Sequence, residues 1–398
     1  METTLTKIGE CINCNPSVKL EKGNAYPVID IDKIVVGRKY VTNKDFIVYS
    51  NQSGAKFENG DTLMARITPC LENGKIAKAR IDGKGIGSTE LFVFRGIKGI
   101  TDNDFVYYLF KQQYIRELSA NSMTGASGRQ RADLKFIKRI KISLPPLPTQ
   151  RKIASILSSY DSLIESNTKR IRLLEQMAEN LYKEWFVRFR FPGHENTEFV
   201  DGLPKGWKIE KYSSFVEIMS GGTPNTDNSS YYSGHIPFFT PKDSKAGVFV
   251  YDTLTTITEE GLRHCNSQLY PKDTLIITAR GTVGKLNLLA EPMAMNQSCF
   301  ALKSTILDAP YYLYYATNNA VNKLKKMANG GVFDTIIIKT FDHIKLTMPP
   351  IDIIKSYEYK VKPIMIQIQS LQRQSALLIR QRDLLLPRLM SGKLEVKS

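Results

Sequence analysis

The sequence predicts an α+β protein built twice over, two mixed globular units that each run into one long helix. Three observations carry this. Ile140–Leu147 (IKISLPPL) returns 204 residues later as Ile344–Ile351 (IKLTMPPI). Each copy leads into a long amphipathic stretch, Thr149–Phe191 and Asp352–Leu389. Upstream, Gly60-Asp-Thr-Leu63 is echoed by Lys272-Asp-Thr-Leu275. Self-similarity at a fixed offset marks a duplicated architecture and predicts a protein that meets two similar things at a set separation.

Residues 1–148 form the first unit. Short β-rich phrases (Val28–Val36, Phe46–Ser50, Thr62–Ile67, Leu91–Phe94) alternate with Gly/Asn/Asp turns. One helix is expected over Asp102–Leu118. Leu144-Pro-Pro-Leu-Pro148 then reads as a stiff extended hinge, because proline continues neither a ladder nor a helix interior. Thr149 follows as the expected N-cap of a helix over 149–191. Its apolar positions are Ile153, Leu157, Tyr160, Ile164, Asn167, Ile171, Leu174, Ala178, Leu181 and Trp185, spaced 4-3-4-3, the 3.5-residue repeat of a coiled-coil seam. Asn167 is the polar exception and is read as a register-fixing residue, since a buried amide disfavours slipped pairings. Residues 192–202 are a polar linker after Phe191-Pro-Gly193.

The second unit covers 203–350, with strands expected at Ile236–Thr240, Thr274–Thr278 and Phe300–Leu302 and a helix near Pro310–Met327. The second helix and a short tail occupy 351–398. Shifting the first seam by 204 residues without a gap gives Tyr357, Val361, Ile364, Ile368, Leu371, Ser375, Leu378, Arg382, Leu385 and Leu389. Ser375 and Arg382 are polar, which points to help from a partner subunit there. Pro363 is expected to kink this helix or mark its start. Beyond Pro387 the tail is expected to leave the helix.

Composition narrows the function classes. With 398 residues and 42% hydrophobic content the chain holds two real cores, and its formal net charge of +16 makes nucleic acid the expected partner. No run of about 18 apolar residues exists and the first ten residues lack a signal-peptide core, so the expectation is a cytoplasmic protein without a membrane span. Five scattered cysteines argue against a disulfide framework, and Cys11-Ile-Asn-Cys14 has no second pair to complete a zinc site. Four dispersed histidines give no metal cluster. Gly281-Thr-Val-Gly-Lys285 lacks the leading glycine and spacing of a P-loop, and no GxGxxG follows a strand. No catalytic residue and no cofactor is expected.

Binding residues are expected in loops that mix cations with flexible polar side chains. In the first unit these are Arg66, Thr68, Asn73, Lys75, Ser88-Thr-Glu90 and the cluster Arg129-Gln130-Arg131. In the second they are Thr223, Lys242, Arg280, Thr282, Lys285 and Asn296. Arginine and lysine suit guanine edges or phosphates, and asparagine and glutamine suit adenine.

The phrases, taken in order, resemble the specificity subunits of type I restriction-modification systems over essentially the whole chain. They are DTLMARITPCLENGKI (Asp61–Ile76), Gly87-Ser-Thr-Glu90, MTGASGRQR (Met123–Arg131), PPLPTQRKIA (Pro145–Ala154) and Trp185-Phe-Val187. Gly202–Trp207, Ser220–Pro224, IPFFTPK (Ile236–Lys242), Arg280–Lys285 and LLPRLMSGKLEV (Leu385–Val396) complete the series. The resemblance implies two target-recognition domains separated by two long antiparallel coiled-coil helices with pseudo-twofold symmetry. It also implies a non-catalytic subunit that reads a bipartite DNA target with an unread spacer. Its implied partners are double-stranded DNA, two modification (methyltransferase) subunits and restriction (motor-nuclease) subunits. The other reading is the specificity adaptor of a bipartite restriction enzyme with a fused methylase-nuclease. For helix pairing and subunit contact the expected residues are Ile153, Leu157, Ile164, Asn167, Ile171, Leu174, Trp185, Ile364, Ile368, Leu371 and Leu378. The second unit shows no alignable counterpart of Arg129-Gln130-Arg131. The first seam, at about 1.5 Å per residue, gives a ruler of about 50 Å, or roughly 14 base pairs of B-DNA.

Overall fold

The computed structural model describes residues 3–42, 45–125, 129–244, 247–327 and 335–396. It divides into two compact units, Met1–Asn167 with Ser375–Ser398, and Thr168–Gln374. The two long helices are therefore shared, each unit holding part of both.

In the first unit a five-stranded sheet has the order Ile12–Cys14, Leu91–Gly96, Thr62–Ala65, Ile76–Ala79, Tyr40–Val41. All neighbours are antiparallel except the last pair, which is parallel. A second sheet, ordered Phe46–Val48, Ala25–Ile29, Lys84–Gly87, Ala55–Glu58, contains one parallel pair, between Ala25–Ile29 and Lys84–Gly87. Thr4–Lys7 pairs with Lys141–Leu144, so the two ends of the unit lie side by side.

The single helix expected over Asp102–Leu118 is in fact two, Asn103–Lys111 and Gln113–Asn121. Asp102 caps the first, accepting from the Asp104 and Phe105 amides. Gln112 breaks the run with extended ψ, which lets Ile115 and Ser119 of the second helix be buried as well.

The first long helix runs Leu147–Tyr182 and continues as a π-turn over Lys183–Val187, so it starts before Thr149 and stops short of Phe191. Thr149 lies inside its first turn and is not the cap. Gln150 anchors that turn. Its amide donates to the carbonyls of Ile100 (2.9 Å) and Pro145 (2.8 Å), and its oxygen accepts from the Asp102 amide (3.0 Å).

The second long helix is continuous over Ile351–Met390, through both Pro363 and Pro387. Of the two expectations for Pro363, a kink or the helix start, the second is overturned, because the helix begins at Ile351. The Pro363 side chain is exposed while Val361, Ile364, Met365 and Ile368 on the inner face are buried or packed on the core, and that burial outweighs a proline cost of about 3 kcal/mol. The chain leaves the helix after Met390, with Gly392 at φ 73°.

All twenty seam positions are buried or half-buried, whereas Leu163, Leu173 and Met177 of the first helix, which lie off the seam, are exposed. In the first unit Ile153, Ala154 and Leu157 join Leu386, Leu389 and Met390 in one core with Phe92, Phe94, Tyr108 and Phe110. The helices are antiparallel here, the start of one against the end of the other. Arg382 needs no partner subunit, contrary to expectation. It is 2% exposed, its Nη1 donates to Asp161 Oδ1 at 2.5 Å, and Tyr108 donates to Asp161 Oδ2 at 2.5 Å.

The second unit repeats the plan. Its five-stranded sheet is ordered Val216–Ser220, Cys299–Ser304, Leu275–Thr278, Leu286–Leu289, Phe249–Val250, again with only the last pair parallel. A second sheet places Tyr232–Phe239 between an antiparallel Thr255–Ile257 and a parallel Ala294–Met295. Lys208–Lys211 pairs with Lys345–Met348, as Thr4–Lys7 does with Lys141–Leu144. The helix expected near Pro310–Met327 spans those residues.

The core of this unit is aromatic. Tyr182, Trp185 and Phe186 of the first long helix meet Tyr312 and, from the second, Tyr357, with ring centroids 4.9–6.4 Å apart. Here too the two helices run antiparallel, with Ile171, Leu174 and Ala178 in the same core as Val361, Ile364 and Ile368.

Glu358, beside Tyr357, accepts the Tyr312 amide at the start of the 310–327 helix (2.7 Å). Burial pushes its carboxyl up to about 7, against two backbone hydrogen bonds that pull it down. The folded state thus holds a proton that the unfolded chain, with an ordinary value of 4.5, has already lost. The second unit is expected to lose up to about 3 kcal/mol as pH rises from 4.5 through about 7. Urea unfolding across that range checks it, and Glu358→Gln is expected to flatten the dependence.

Candidate nucleic-acid interface

In the first unit the strand Thr62–Ala65 runs out into the loop 66–75, tied into compact turns by Ile67–Leu71, Pro69–Asn73 and Cys70–Lys75 backbone bonds. Segment 129–132 lies along it. The Thr68 amide donates to the Gln130 carbonyl (3.1 Å), the Ala132 amide to the Arg66 carbonyl (2.8 Å), and Arg131 bridges to both Ile67 and Thr124. Arg66, Thr68, Arg129, Gln130 and Arg131, which the sequence offers in two separate loops, are therefore brought together.

Their charges are not all free. Arg131 grips the Glu90 carboxylate side-on, Nε to Oε2 at 2.9 Å and Nη2 to Oε1 at 2.6 Å. Arg66 adds a second cation, with Nε 3.7 Å from Glu90 Oε2 and its guanidinium 5.3 Å from the Phe92 ring centre. The Arg131 hydrogen bonds hold the Glu90 carboxyl below the usual carboxylate range. Arg66 Nε and Thr68 Oγ1 are buried with no hydrogen-bond partner among the described residues. Arg129 and Asn73 are exposed. Lys75 is drawn away from the rim, its ammonium donating to the Ile31 carbonyl (2.9 Å).

The second unit assembles its rim from four loops. The Gly222 amide donates to the Met295 carbonyl (3.1 Å), Thr223 donates to Gln297, the Asn296 amide donates to the Phe239 carbonyl (3.0 Å), and the Ala279 amide donates to the Ser298 carbonyl (2.8 Å). Gly221 is required here, since a Cβ would fall 2.4 Å from the Asn296 carbonyl oxygen. Thr282 lies against the Pro241 carbonyl (3.5 Å). Thr223, Lys242, Arg280, Thr282 and Asn296 thus share one edge, with Lys242 and Arg280 exposed.

Lys285 points elsewhere, donating to the Ser244 carbonyl (3.3 Å). Gly281-Thr-Val-Gly284 is a turn with positive φ at both glycines, pinned where the Thr278 hydroxyl accepts the Lys285 amide (3.0 Å). That accounts for the resemblance to a phosphate loop.

The two rims occupy the same place in the same topology. The Arg66 amide donates to Glu90 and the Arg66 carbonyl accepts from Ala132. The Ala279 amide donates to Ser298 and the Ala279 carbonyl accepts from Ile336 (2.9 Å). Arg66, Glu90 and Arg131 therefore correspond to Ala279, Ser298 and Thr335. The counterpart of the arginine cluster, which sequence alignment did not find, exists in the backbone and carries no arginine at the Arg131 position. By the same offset Arg129 and Gln130 match Phe333 and Asp334, which lie outside the described residues. Glu90 was named only as part of a loop; its pairing with Arg131, 41 residues away, has no local sequence signal.

Among the described residues no three His, Cys, Asp or Glu side chains are grouped to hold a metal ion. Burial raises Cys11 and Cys14 to about 11, the state of inert thiols. No helix among the described residues is long and apolar enough to cross a membrane. A duplicated α+β fold with polar, cationic loop rims defines a recognition protein.

The family model for the type I restriction modification DNA specificity domain matches residues 3–176 and 204–373. The chain belongs to this family, whose specificity subunits are non-catalytic DNA-recognition components. It is 26% identical over 334 residues to the MjaIX specificity subunit of Methanocaldococcus jannaschii, covering 81% of this chain and 77% of that one. It is 24% identical to the HindI specificity subunit of Haemophilus influenzae, covering 93% and 95%. The type I restriction-modification S subunit of M. genitalium shares the fold at a TM-score of 0.58 and 15% identity, covering 100% of this chain and 97% of that one.

Proposed function

We propose that the chain reads a bipartite DNA target, one half per unit across an unread spacer, and in the cytoplasm joins two modification subunits and the restriction subunits of a type I enzyme. One observation carries this reading: the same rim recurs at the same place in both units with different side chains. A shared backbone and divergent side chains are what two different half-sites require. The net charge of +16 supports DNA as the partner, and the similarity to type I specificity subunits supports the type I system over a fused methylase-nuclease.

Methylome sequencing of the host tests the reading directly. A two-part motif with a fixed spacer is expected, and a continuous motif would overturn it. Arg129 and Lys242, both exposed, are expected to meet phosphates. Replacing each by alanine is expected to lower the slope of log K against log salt by about 1, and replacing both by about 2, in duplex-binding titrations.

A further inference from the structure

The rim of the first unit contains a carboxylate, and a carboxylate facing DNA repels phosphate. Glu90 therefore calls for another role, and its geometry supplies one. We infer that Arg131 reads a guanine in the half-site taken by the first unit, and that Glu90 is the positioning residue that presents it. This rests on the DNA-recognition reading above.

A guanidinium has five N–H groups in a fixed plane. Glu90 takes the Nε and Nη2 edge of Arg131. Among the described residues no bond takes the remaining edge, formed by Nη1 with the second Nη2 hydrogen, and its two parallel donors match O6 and N7 of guanine in the major groove. The Arg131 side chain is 43% exposed, so that edge is reachable. Backbone bonds from Thr68 to Gln130 and from Ala132 to Arg66 fix the base of the side chain, and the carboxylate fixes its plane. Arg66 adds a second cation beside Glu90, 3.7 Å from Oε2, which leaves the cluster of two guanidiniums and one carboxylate net positive.

The second unit supplies an internal comparison. Arg66, Glu90 and Arg131 give way together to Ala279, Ser298 and Thr335 at the matching backbone positions. The cluster is present or absent as a whole, as expected of residues that act through one another. The second unit must read its matching base pair by other means.

The test uses the full chain with its modification subunits, methylome sequencing, and a duplex set varied at each recognised base pair. Arg131→Ala is expected to reduce discrimination at one G·C pair of the first unit's half-site by about 10- to 100-fold. Glu90→Gln is expected to relax that same pair, with no further loss in the double variant and an unchanged salt slope. Glu90→Asp, which keeps the carboxylate, is expected to restore part of the discrimination. Relaxation of a different pair by Glu90→Gln would overturn the proposal in favour of Glu90 reading cytosine itself. Equal loss in the Asp and Gln variants would remove the positioning role, and full discrimination in Arg131→Ala would remove the guanine contact. A wild-type chain that directs no sequence-specific methylation would instead remove the DNA-recognition reading beneath it.

Discussion

Asp161→Ala is expected to destabilise the first unit by about 3–5 kcal/mol, because it strands a buried cation. Arg382 is 2% exposed and Asp161 5%. Three groups converge there: Asp161 accepts from Arg382 on one oxygen and from Tyr108 on the other, and Arg382 also donates to the Gly37 carbonyl (3.4 Å) and to Asp383 (2.9 Å). Removing the carboxylate leaves the guanidinium with the Gly37 carbonyl and one partly exposed carboxylate, Asp383, and leaves the Tyr108 hydroxyl without its short acceptor. Replacing both members with apolar residues, Asp161→Leu with Arg382→Met, is expected to recover most of the loss, since well-packed apolar pairs commonly equal buried ion pairs. Urea unfolding monitored in both variants checks it. Equal loss in the single and double variants would show that packing around the pair, and not the stranded charge, dominates.

Exchanging residues 203–348 for the matching segment of a relative is expected to rewrite one half of the recognised sequence and leave the other untouched. The strand pairing makes this exchange feasible. Lys208, just inside the first cut, pairs with Met348 at the second, so the graft re-enters the chain close to where it left. The donor must keep residues that pack on Tyr182, Trp185, Phe186 and Tyr357, which stay behind on the long helices. Tyr312 travels with the graft, and loss of its ring would open the cluster and cost about 3–5 kcal/mol. Methylome sequencing reads the outcome. A change in both halves would mean that the units do not read independently.

The seam was legible because a 3.5-residue repeat is local, and burial at all its positions needs only that one helix meet another. Arg382 was misjudged for the opposite reason. Its partner Asp161 sits 221 residues away and one position off the seam, where no periodicity could show it. The break at Gln112 was equally hidden, since Gln112 is neither Gly nor Pro and the apolar pattern runs on through it. Loop cations divided on a similar ground. Lys75 and Lys285 are expected from sequence to bind DNA, but each reaches a backbone carbonyl, which a four-carbon stem can do in directions that composition does not encode. The repeated sheet order was the least legible of all, because most of its strands are too short to carry a period.

The first unit is completed by residues from the far end of the chain, with Leu386, Leu389 and Met390 packed into its core. On a ribosome that core stays open until those residues have emerged from the exit tunnel. The second unit, Thr168–Gln374, is continuous and is wholly available earlier. The first unit is thus completed after the second, against the usual order in which the N-terminal domain is the first to be complete. A nascent chain with residues up to 374 clear of the tunnel and the rest still inside it would carry a complete second unit and an unfinished first one, with the apolar face that awaits Leu386 and Leu389 still exposed to chaperones and proteases.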